Sequence, residues 1–459
     1  MRLILKNFNI VDEETNTTGN VIIDEGIITA VQTEEFPAST QKNKIAEYDG
    51  AVTIIDGSRM LPSKKLPLLM PAFIDLHAHF RDPGFPEKEN LESASLAAAA
   101  GGFGTVVCMA NTRPVTDTLE KATALKKRSD CLGLIDLYPV LSLSKNMDGK
   151  ELSGISAIPP AGGCRTAGGF NVPLLLSEDG KDLADDALFL AAMKEAKRIG
   201  IPVSCHCDFG GDEALSAKNS GQPRSVWSRI EENNATRRAI ELGRKAGCHI
   251  HIAHVSTKEA VEMIRRVKAA ALAAQRTDAG AFTLTCEATP HHICLTEEDA
   301  VRLGDESHGR VNPSLRPEED RKALIQAVAD GTIDAIATDH APHSRSDKEE
   351  GAPGFSGFET AFAAVFTELV HNGVIGLKRI SSLMTAFPAR LLGLYNGSQK
   401  RGRILPGYRA DLVMLNTEES WIVNPLIFKS RGSNSPFGGR QLRGKILMTI
   451  HAGRVVNEQ

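Results

Sequence analysis

The chain has 459 residues, of which 42% are hydrophobic, 24% charged and 5% aromatic. This composition excludes the disordered, collagen-like and disulfide-scaffold classes, and the length calls for one large domain plus a smaller one. A formal net charge of −4, with no Lys/Arg cluster interleaved with aromatics, argues against a nucleic-acid partner and leaves small molecules.

From the start of the chain, Lys6, Asp12, Glu13, Glu14 and Asp24 are spread among the apolar positions of residues 1–30. No signal-peptide core is expected there, no run of about 18 apolar residues marks a membrane span, and the expected location is the cytoplasm. Short β-rich runs at 3–7, 19–24, 26–32 and 53–56 are separated by turn residues, and similar runs return at 403–407, 410–416, 446–451 and 454–456. The two ends are therefore expected to build one small β-domain, from residues 1–66 and 393–459, around a contiguous centre at 67–392.

In that centre the period changes. Apolar runs at 68–76, 104–110, 134–142, 172–177, 201–205, 249–255, 282–288 and 333–338 alternate with helix-like segments at 90–100, 116–128, 182–199, 233–246, 258–274 and 318–330. Eight strands separated by helices predict an α/β fold of the (β/α)8 barrel type. A doubly wound sheet is the alternative, weakened because no G-x-G-x-x-G follows the first strand. Segments 156–171, rich in Gly, Pro and Ala, and 268–280, rich in Ala, read as insertions.

Barrel chemistry gathers at the C-terminal ends of strands, and here those ends are rich in metal-binding types. The first strand ends in His77-Ala-His79 and Arg81, and residues two apart face the same side of a strand. The second ends in Asn111, the fourth in Glu178-Asp179-Gly180, the fifth in His206, the sixth in His254, the seventh in Glu287 through His292, and the eighth in Asp339-His-Ala-Pro-His343. Each alone has a bland explanation as a cap, turn or satisfied core histidine. Together His77, His79, Asp179, His206, His254 and Asp339 make six imidazole and carboxylate donors, the number that two zinc-like ions with a shared bridge require. His254 needs a bulge or an early strand end, because strict alternation would pair His249 with His251. The eight cysteines include no C-x-x-C pair, and Cys205 and Cys207, flanking His206, are read as packing residues. His291 and His292 are read as hydrogen-bonding around strand seven, His340 as orienting its neighbours, and Glu232 as a helix-start carboxylate. His249, His308, His371 and His451 are read as structural or exposed.

These motifs closely resemble the cyclic amidohydrolases, and most specifically the class I dihydroorotases. The resemblance is carried by Pro71-Ala-Phe-Ile-Asp-Leu-His-Ala-His-Phe-Arg-Asp-Pro-Gly84, Cys108-Met-Ala-Asn-Thr-Arg-Pro-Val115, Ser177-Glu-Asp-Gly180, His251-Ile-Ala-His-Val-Ser-Thr257, Glu287-Ala-Thr-Pro-His-His292, Val311-Asn-Pro-Ser-Leu-Arg316 and Ile336-Ala-Thr-Asp-His-Ala-Pro-His343. Near the C-terminus, Gly402 to Val413 and Asn434 to Gly439 fit the same family. The resemblance implies a distorted barrel with a composite β-sandwich, two Zn2+ per subunit, and reversible interconversion of L-dihydroorotate and N-carbamoyl-L-aspartate in pyrimidine biosynthesis. It implies that His77 and His79 hold the first zinc, His206 and His254 the second, and that Asp179 bridges them. Asp339 would be a first-zinc ligand and the catalytic proton shuttle, with Arg81, Asn111, Asn312 and His343 binding substrate. Hydantoinases and allantoinases bridge their metals with a carboxylated lysine on strand four, and no lysine stands on that strand here. Another cyclic amidase, and a non-catalytic subunit supporting aspartate transcarbamoylase, are the alternatives at this point. A homodimer and an association with aspartate transcarbamoylase are left open by the resemblance.

Overall fold

The computed structural model describes residues 2–33, 46–49, 52–63, 65–160, 173–208, 211–273, 282–304 and 306–459. Of the two expected insertions, residues 161–171 and 274–280 lie outside the described residues. The N-terminal strands are β1 (Arg2–Val11), β2 (Asn16–Asp24), β3 (Ile27–Gln32), β4 (Ala46–Asp49), β5 (Val52–Asp56) and β6 (Leu68–Pro71). Eight further strands follow: β7 (Phe73–Ala78), β8 (Phe103–Cys108), β9 (Asp136–Pro139), β10 (Leu176–Ser177), β11 (Val203–Cys205), β12 (His249–Ile252), β13 (Thr283–Ala288) and β14 (Ala335–Ile336). The chain closes with β15 (Leu412–Ile422), β16 (Gln441–His451) and β17 (Arg454–Glu458).

Both chain ends share one nine-stranded sheet, ordered β17-β16-β15-β6-β1-β2-β3, with β5 pairing in parallel on β1 and β4 on β5. One face of it, including Leu5, Phe8, Ile10, Val21, Ile23, Leu69, Leu412 and Ile450, forms one buried cluster, while Leu68, Met70, Val413 and Leu415 on the same strands join the main core. The apolar run at 68–76 is not a single barrel strand: it breaks after Pro71. Leu68–Pro71 pairs antiparallel with β15, whereas Phe73 opens the barrel beside β8. Residues 403–407 form a turn rather than the expected strand, because Ile404 N donates to Asp12 Oδ2 at 3.2 Å and Gly407 N to Ile28 O at 2.8 Å.

Strands β7 to β14 make the distorted (β/α)8 barrel. Three parallel strands, β7-β8-β9, and five, β10-β11-β12-β13-β14, are joined where Ser177 N donates to Leu141 O at 3.1 Å and His79 N to His340 O at 2.8 Å. Ile74, Leu76, Val107 and Ala335 pack with Ala389 and Leu391, so alternation turns Asp75 and His77 to the other side. Outer helices begin on side-chain caps, with Asn90, Thr118 and Asp185 accepting from first-turn N–H groups. The helix expected at 233–246 starts earlier, at Arg224, which places Glu232 in its interior. There Glu232 pairs with Arg316 at 3.0 Å and accepts from Ser256 N at 2.7 Å and Thr257 N at 3.0 Å. Glu232 is thus a helix-start carboxylate for the following helix, Lys258–Ala273, rather than for its own.

A buried ionic network joins the barrel to the C-terminal strands. Arg401 and Arg409 each reach Asp136 Oδ2 at 2.6 Å, and Asp411 takes His451 Nδ1 at 3.2 Å and Arg409 Nε at 3.3 Å. Asp136, Asp411 and His451 could geometrically face one ion. The two guanidiniums already neutralise the carboxylates, so the cluster is an ion-pair network. No helix among the described residues is long and apolar enough to cross a membrane.

Candidate metal centre

Six side chains from five strand ends converge at the C-terminal mouth of the barrel. Asp179, just after β10, is their hub. Its Oδ1 lies 3.1 Å from His77 Nε2, 3.1 Å from His206 Nδ1 and 3.9 Å from His254 Nε2, and its Oδ2 lies 3.4 Å from His79 Nε2. Asp339 Oδ1 closes the other side, 3.2 Å from His79 Nε2 and 3.6 Å from His77 Nε2. Two groups of donors, His77/Asp179/His254 and His77/His79/Asp339, each fall within 4.8 Å. His77 Nε2 and Asp179 Oδ1 are buried without a hydrogen-bond partner. Leaving such atoms unsatisfied is costly, and imidazole with carboxylate is the donor set of zinc and similar ions. The residues present therefore fit a divalent metal.

The electrostatics agree with that fit. Burial works to raise the Asp179 carboxyl, but His77 and His206 outweigh it and hold the group well below the usual carboxylate range. Burial together with His206 and His77 pushes His254 well below its ordinary value, so it is a neutral donor.

Local backbone explains why these residues meet. Arg81, His254 and Asp339 all have left-handed φ, at 57°, 33° and 46°. Each such non-glycine residue costs about 1–3 kcal/mol, and strain of this kind gathers at functional sites. For His254 this is the early strand end that alternation demanded: β12 stops at Ile252, and His254 turns into the mouth. Gly180, at φ 91°, adopts a backbone that a side chain would strain, and a Cβ there would also press on Asn111 Nδ2 at 3.0 Å.

Around the donors lies a shell that the sequence reading largely missed. Glu287 Oε1 takes His77 Nδ1 at 3.2 Å, and its Oε2 takes His251 Nε2 at 3.1 Å, while His251 Nδ1 sits 2.9 Å from Thr285 Oγ1. Burial works to raise Glu287, but hydrogen bonds from His251 and His77 hold it at about 2. An ionised Glu287 keeps the proton of His77 on Nδ1 and leaves Nε2 free to bind metal. Asp208 stands in the same relation to His206, 3.1 Å from Nε2. Asn111 Oδ1 lies 3.0 Å from His79 Nδ1, so this residue, expected at the substrate, also orients the candidate donor His79. Asp75 accepts from Thr338 N at 2.9 Å and from Thr338 Oγ1 at 2.5 Å, tying the His77 strand to the residue before Asp339. The sequence signal for Asp75 and Glu287 is a lone carboxylate inside an otherwise apolar, buried strand. Glu287→Gln is expected to weaken metal binding by about 10–100-fold without unfolding the chain, measured by chelator competition beside a melting curve.

The remaining expected residues lie toward the opening. Arg81 Nε donates to Pro342 O at 3.3 Å, and its Nη2 is 3.2 Å from His343 Nε2. Burial lowers the Arg81 guanidinium, while the nearby Asp339 and Asp179 carboxylates act to raise it. Burial and Arg81 push His343 down to about 2, which makes it a neutral imidazole. Asn312 Oδ1 lies 3.4 Å from an Arg224 guanidinium nitrogen. The adjacent Pro313 O is held 3.1 Å from His292 Nε2, so His292 supports this loop. His340 Nδ1 accepts from Gly357 N at 3.1 Å and its ring stacks on Phe358. Glu178 points away from the donors and accepts from Leu143 N at 2.8 Å and Ser144 N at 3.0 Å. Cys205 and Cys207 are buried in the main core cluster.

With the site in view, comparison with known proteins is informative. Residues 68–456 match the model of the amidohydrolase family. A dihydroorotase from Clostridium botulinum is 36% identical over 99% of this chain and 99% of that protein. One from Halalkalibacterium halodurans is 33% identical over 100% of this chain and 99% of that protein. Among solved structures, an L-hydantoinase from Arthrobacter aurescens superposes with a TM-score of 0.79 at 24% identity, over 99% of this chain and 96% of that one. A dihydropyrimidinase from Brevibacillus agri gives 0.79 at 20% identity, over 100% and 95%.

Proposed function

The chain belongs to the amidohydrolase family and is, within it, a dihydroorotase, and on that premise we propose that its site holds two zinc ions and works through the residues named above. The reaction is the reversible hydrolysis of L-dihydroorotate to N-carbamoyl-L-aspartate, a step of pyrimidine biosynthesis. One observation supports the site assignment most: a single buried carboxylate, Asp179, faces imidazoles from three other strands. In this reading His77, His79 and Asp339 would hold one ion and His206 and His254 the other, with Asp179 contributing to both. Such ions would supply Lewis acidity, making water more acidic and an amide carbonyl more electrophilic.

The chain's own residues do the rest. Asp339, on its strained loop beside His79, takes a proton from the attacking water on a carboxylate oxygen. As the ring C–N bond breaks, it returns that proton to the departing nitrogen. The water oxygen remains in the new carboxyl group, whose remaining proton passes to solvent to leave a carboxylate, and the reverse sequence closes the ring. Arg81 offers two parallel N–H donors to the substrate carboxylate, which suits a planar acid. His343, neutral and adjacent, closes on the same group, while Asn111 and Asn312 take the polar edge of the ring. We propose that residues 67–392, apart from the platform strand Leu68–Pro71, carry this chemistry, with 1–66 and 393–459 as the rest of the composite β-platform, and that the protein acts in the cytoplasm.

A substrate panel tests the assignment. Wild type is expected to prefer dihydroorotate over hydantoin, dihydrouracil and allantoin. Arg81→Met is expected to raise KM for dihydroorotate by about 100-fold, as loss of a charge partner in a dry site does. A wild-type preference for a ring without a carboxylate, or a KM indifferent to Arg81, would contradict it.

A further inference from the structure

Lys348 is a buried cation outside the machinery described so far. It sits in the short helix Arg345–Glu349, within the loop that runs from His343 to Phe355, and its relative exposure is 0%. Its Nζ donates to Arg310 O at 2.8 Å, Ala352 O at 2.8 Å and Gly354 O at 3.0 Å. An ammonium has three N–H donors and no acceptor, so three carbonyls satisfy it completely. Among the described residues no carboxylate lies within ion-pairing distance of it. The Phe355 ring centroid is 5.4 Å away, which adds a cation–π contact.

The three carbonyls belong to two different loops. Ala352 and Gly354 flank Pro353, whose carbonyl lies 2.9 Å from His343 Nε2. Arg310 lies two residues before Asn312 and also accepts from Gly354 N at 3.0 Å. Asn434, from the C-terminal segment, binds Gly354 O at 3.0 Å and accepts from His343 N at 3.1 Å, a second clasp on the same loop. A buried ammonium is costly unless its donors are satisfied, so the fold keeps Lys348 only while all three carbonyls from the two loops stay in place. We propose that Lys348 is a positioning residue that locks the His343 loop to the Asn312 loop and so sets the substrate-binding half of the site, without touching substrate or metal. Burial, with Arg310 and Arg224, pushes its ammonium down to about 7, yet the cage of acceptors fits only the protonated form.

The inference rests on the reading of Asn312 and His343 as substrate-binding residues, and the test separates the two. Steady-state kinetics with dihydroorotate are compared for wild type, Lys348→Met, Lys348→Arg, Asn312→Ala and His343→Ala, with zinc content counted for each. Lys348→Met is expected to raise KM by about tenfold or more while kcat stays within about threefold and zinc content is unchanged, the signature of lost substrate binding. Lys348→Arg, whose planar fork cannot converge on three carbonyls, is expected to show a smaller KM increase, and it carries the test if Lys348→Met does not accumulate as folded protein. A folded Lys348 variant with unchanged KM, while Asn312→Ala and His343→Ala raise KM, overturns the positioning role alone. Unchanged KM in Asn312→Ala and His343→Ala overturns the binding assignment, and the inference with it. A fall in kcat and zinc content at constant KM also overturns it, because Lys348 would then act on the metal half.

Discussion

Asp179→Asn is expected to abolish turnover, with a loss of about 10³-fold or more, because several kcal/mol of transition-state stabilisation depend on the metal centre it organises. Asp179 is 2% exposed and faces four imidazoles. The amide keeps the shape but loses the charge and one of the two acceptor oxygens. Zinc content should fall below two per chain, read by metal analysis after dialysis. The same substitution has a pH signature in chelated protein. Burial opposes a proton on His77, but Asp179, Glu287 and Asp339 outweigh it and raise its folded value well above the ordinary one. Burial likewise opposes a proton on His206, and Asp208 with Asp179 outweighs it. A group raised in this way stabilises the fold fully below its unfolded pKa of about 6.5, and that stability is lost as pH rises through the folded value. Urea melts of chelated wild type should therefore show falling stability above about pH 6.5, and Asp179→Asn should flatten that slope. An Asp179→Asn protein that keeps both zincs and more than a tenth of wild-type turnover would remove Asp179 from the centre.

Asp339→Asn is expected to lower kcat by about 10²–10⁴-fold with a smaller effect on KM, since the asparagine cannot carry the proton between water and leaving nitrogen. Its surroundings argue for this separation. Thr338 is fixed by two hydrogen bonds to Asp75, and His340 is held by the Gly357 N–H and by Phe358, so the loop should keep its φ when the side chain changes. A retained amide oxygen can still face the first ion, so zinc content should drop less than in Asp179→Asn. Single-turnover measurements would show the deficit in the chemical step. A variant with normal single-turnover rate would place the proton transfer elsewhere.

The barrel was legible because short, largely apolar strand runs alternate with helices of longer period, and the helix expected at 318–330 is found at Glu318–Asp330. The candidate donors stood out because polar residues at strand ends are rare in so apolar a pattern. Pairing partners were not legible: the run 68–76 reads as continuous, and only hydrogen bonding shows that Leu68–Pro71 belongs with β15 and Phe73–Ala78 with β8. The turn at 403–407 has strand composition, yet Asp12 and Ile28 take its backbone. The orienting shell was hidden for a different reason. Glu287 and Lys348 act on residues 210 and 38 positions away, respectively, and such contacts leave no local periodicity.

If a two-zinc centre built on Asp179 hydrolyses a carboxylated cyclic amide, zinc alone should restore activity to chelator-stripped protein. Titrating that metal-free protein with Zn2+ while following dihydroorotate turnover is expected to show negligible turnover at the start and activity that rises to a plateau at two equivalents. Full turnover in metal-free protein, or none with two zincs bound, would contradict it.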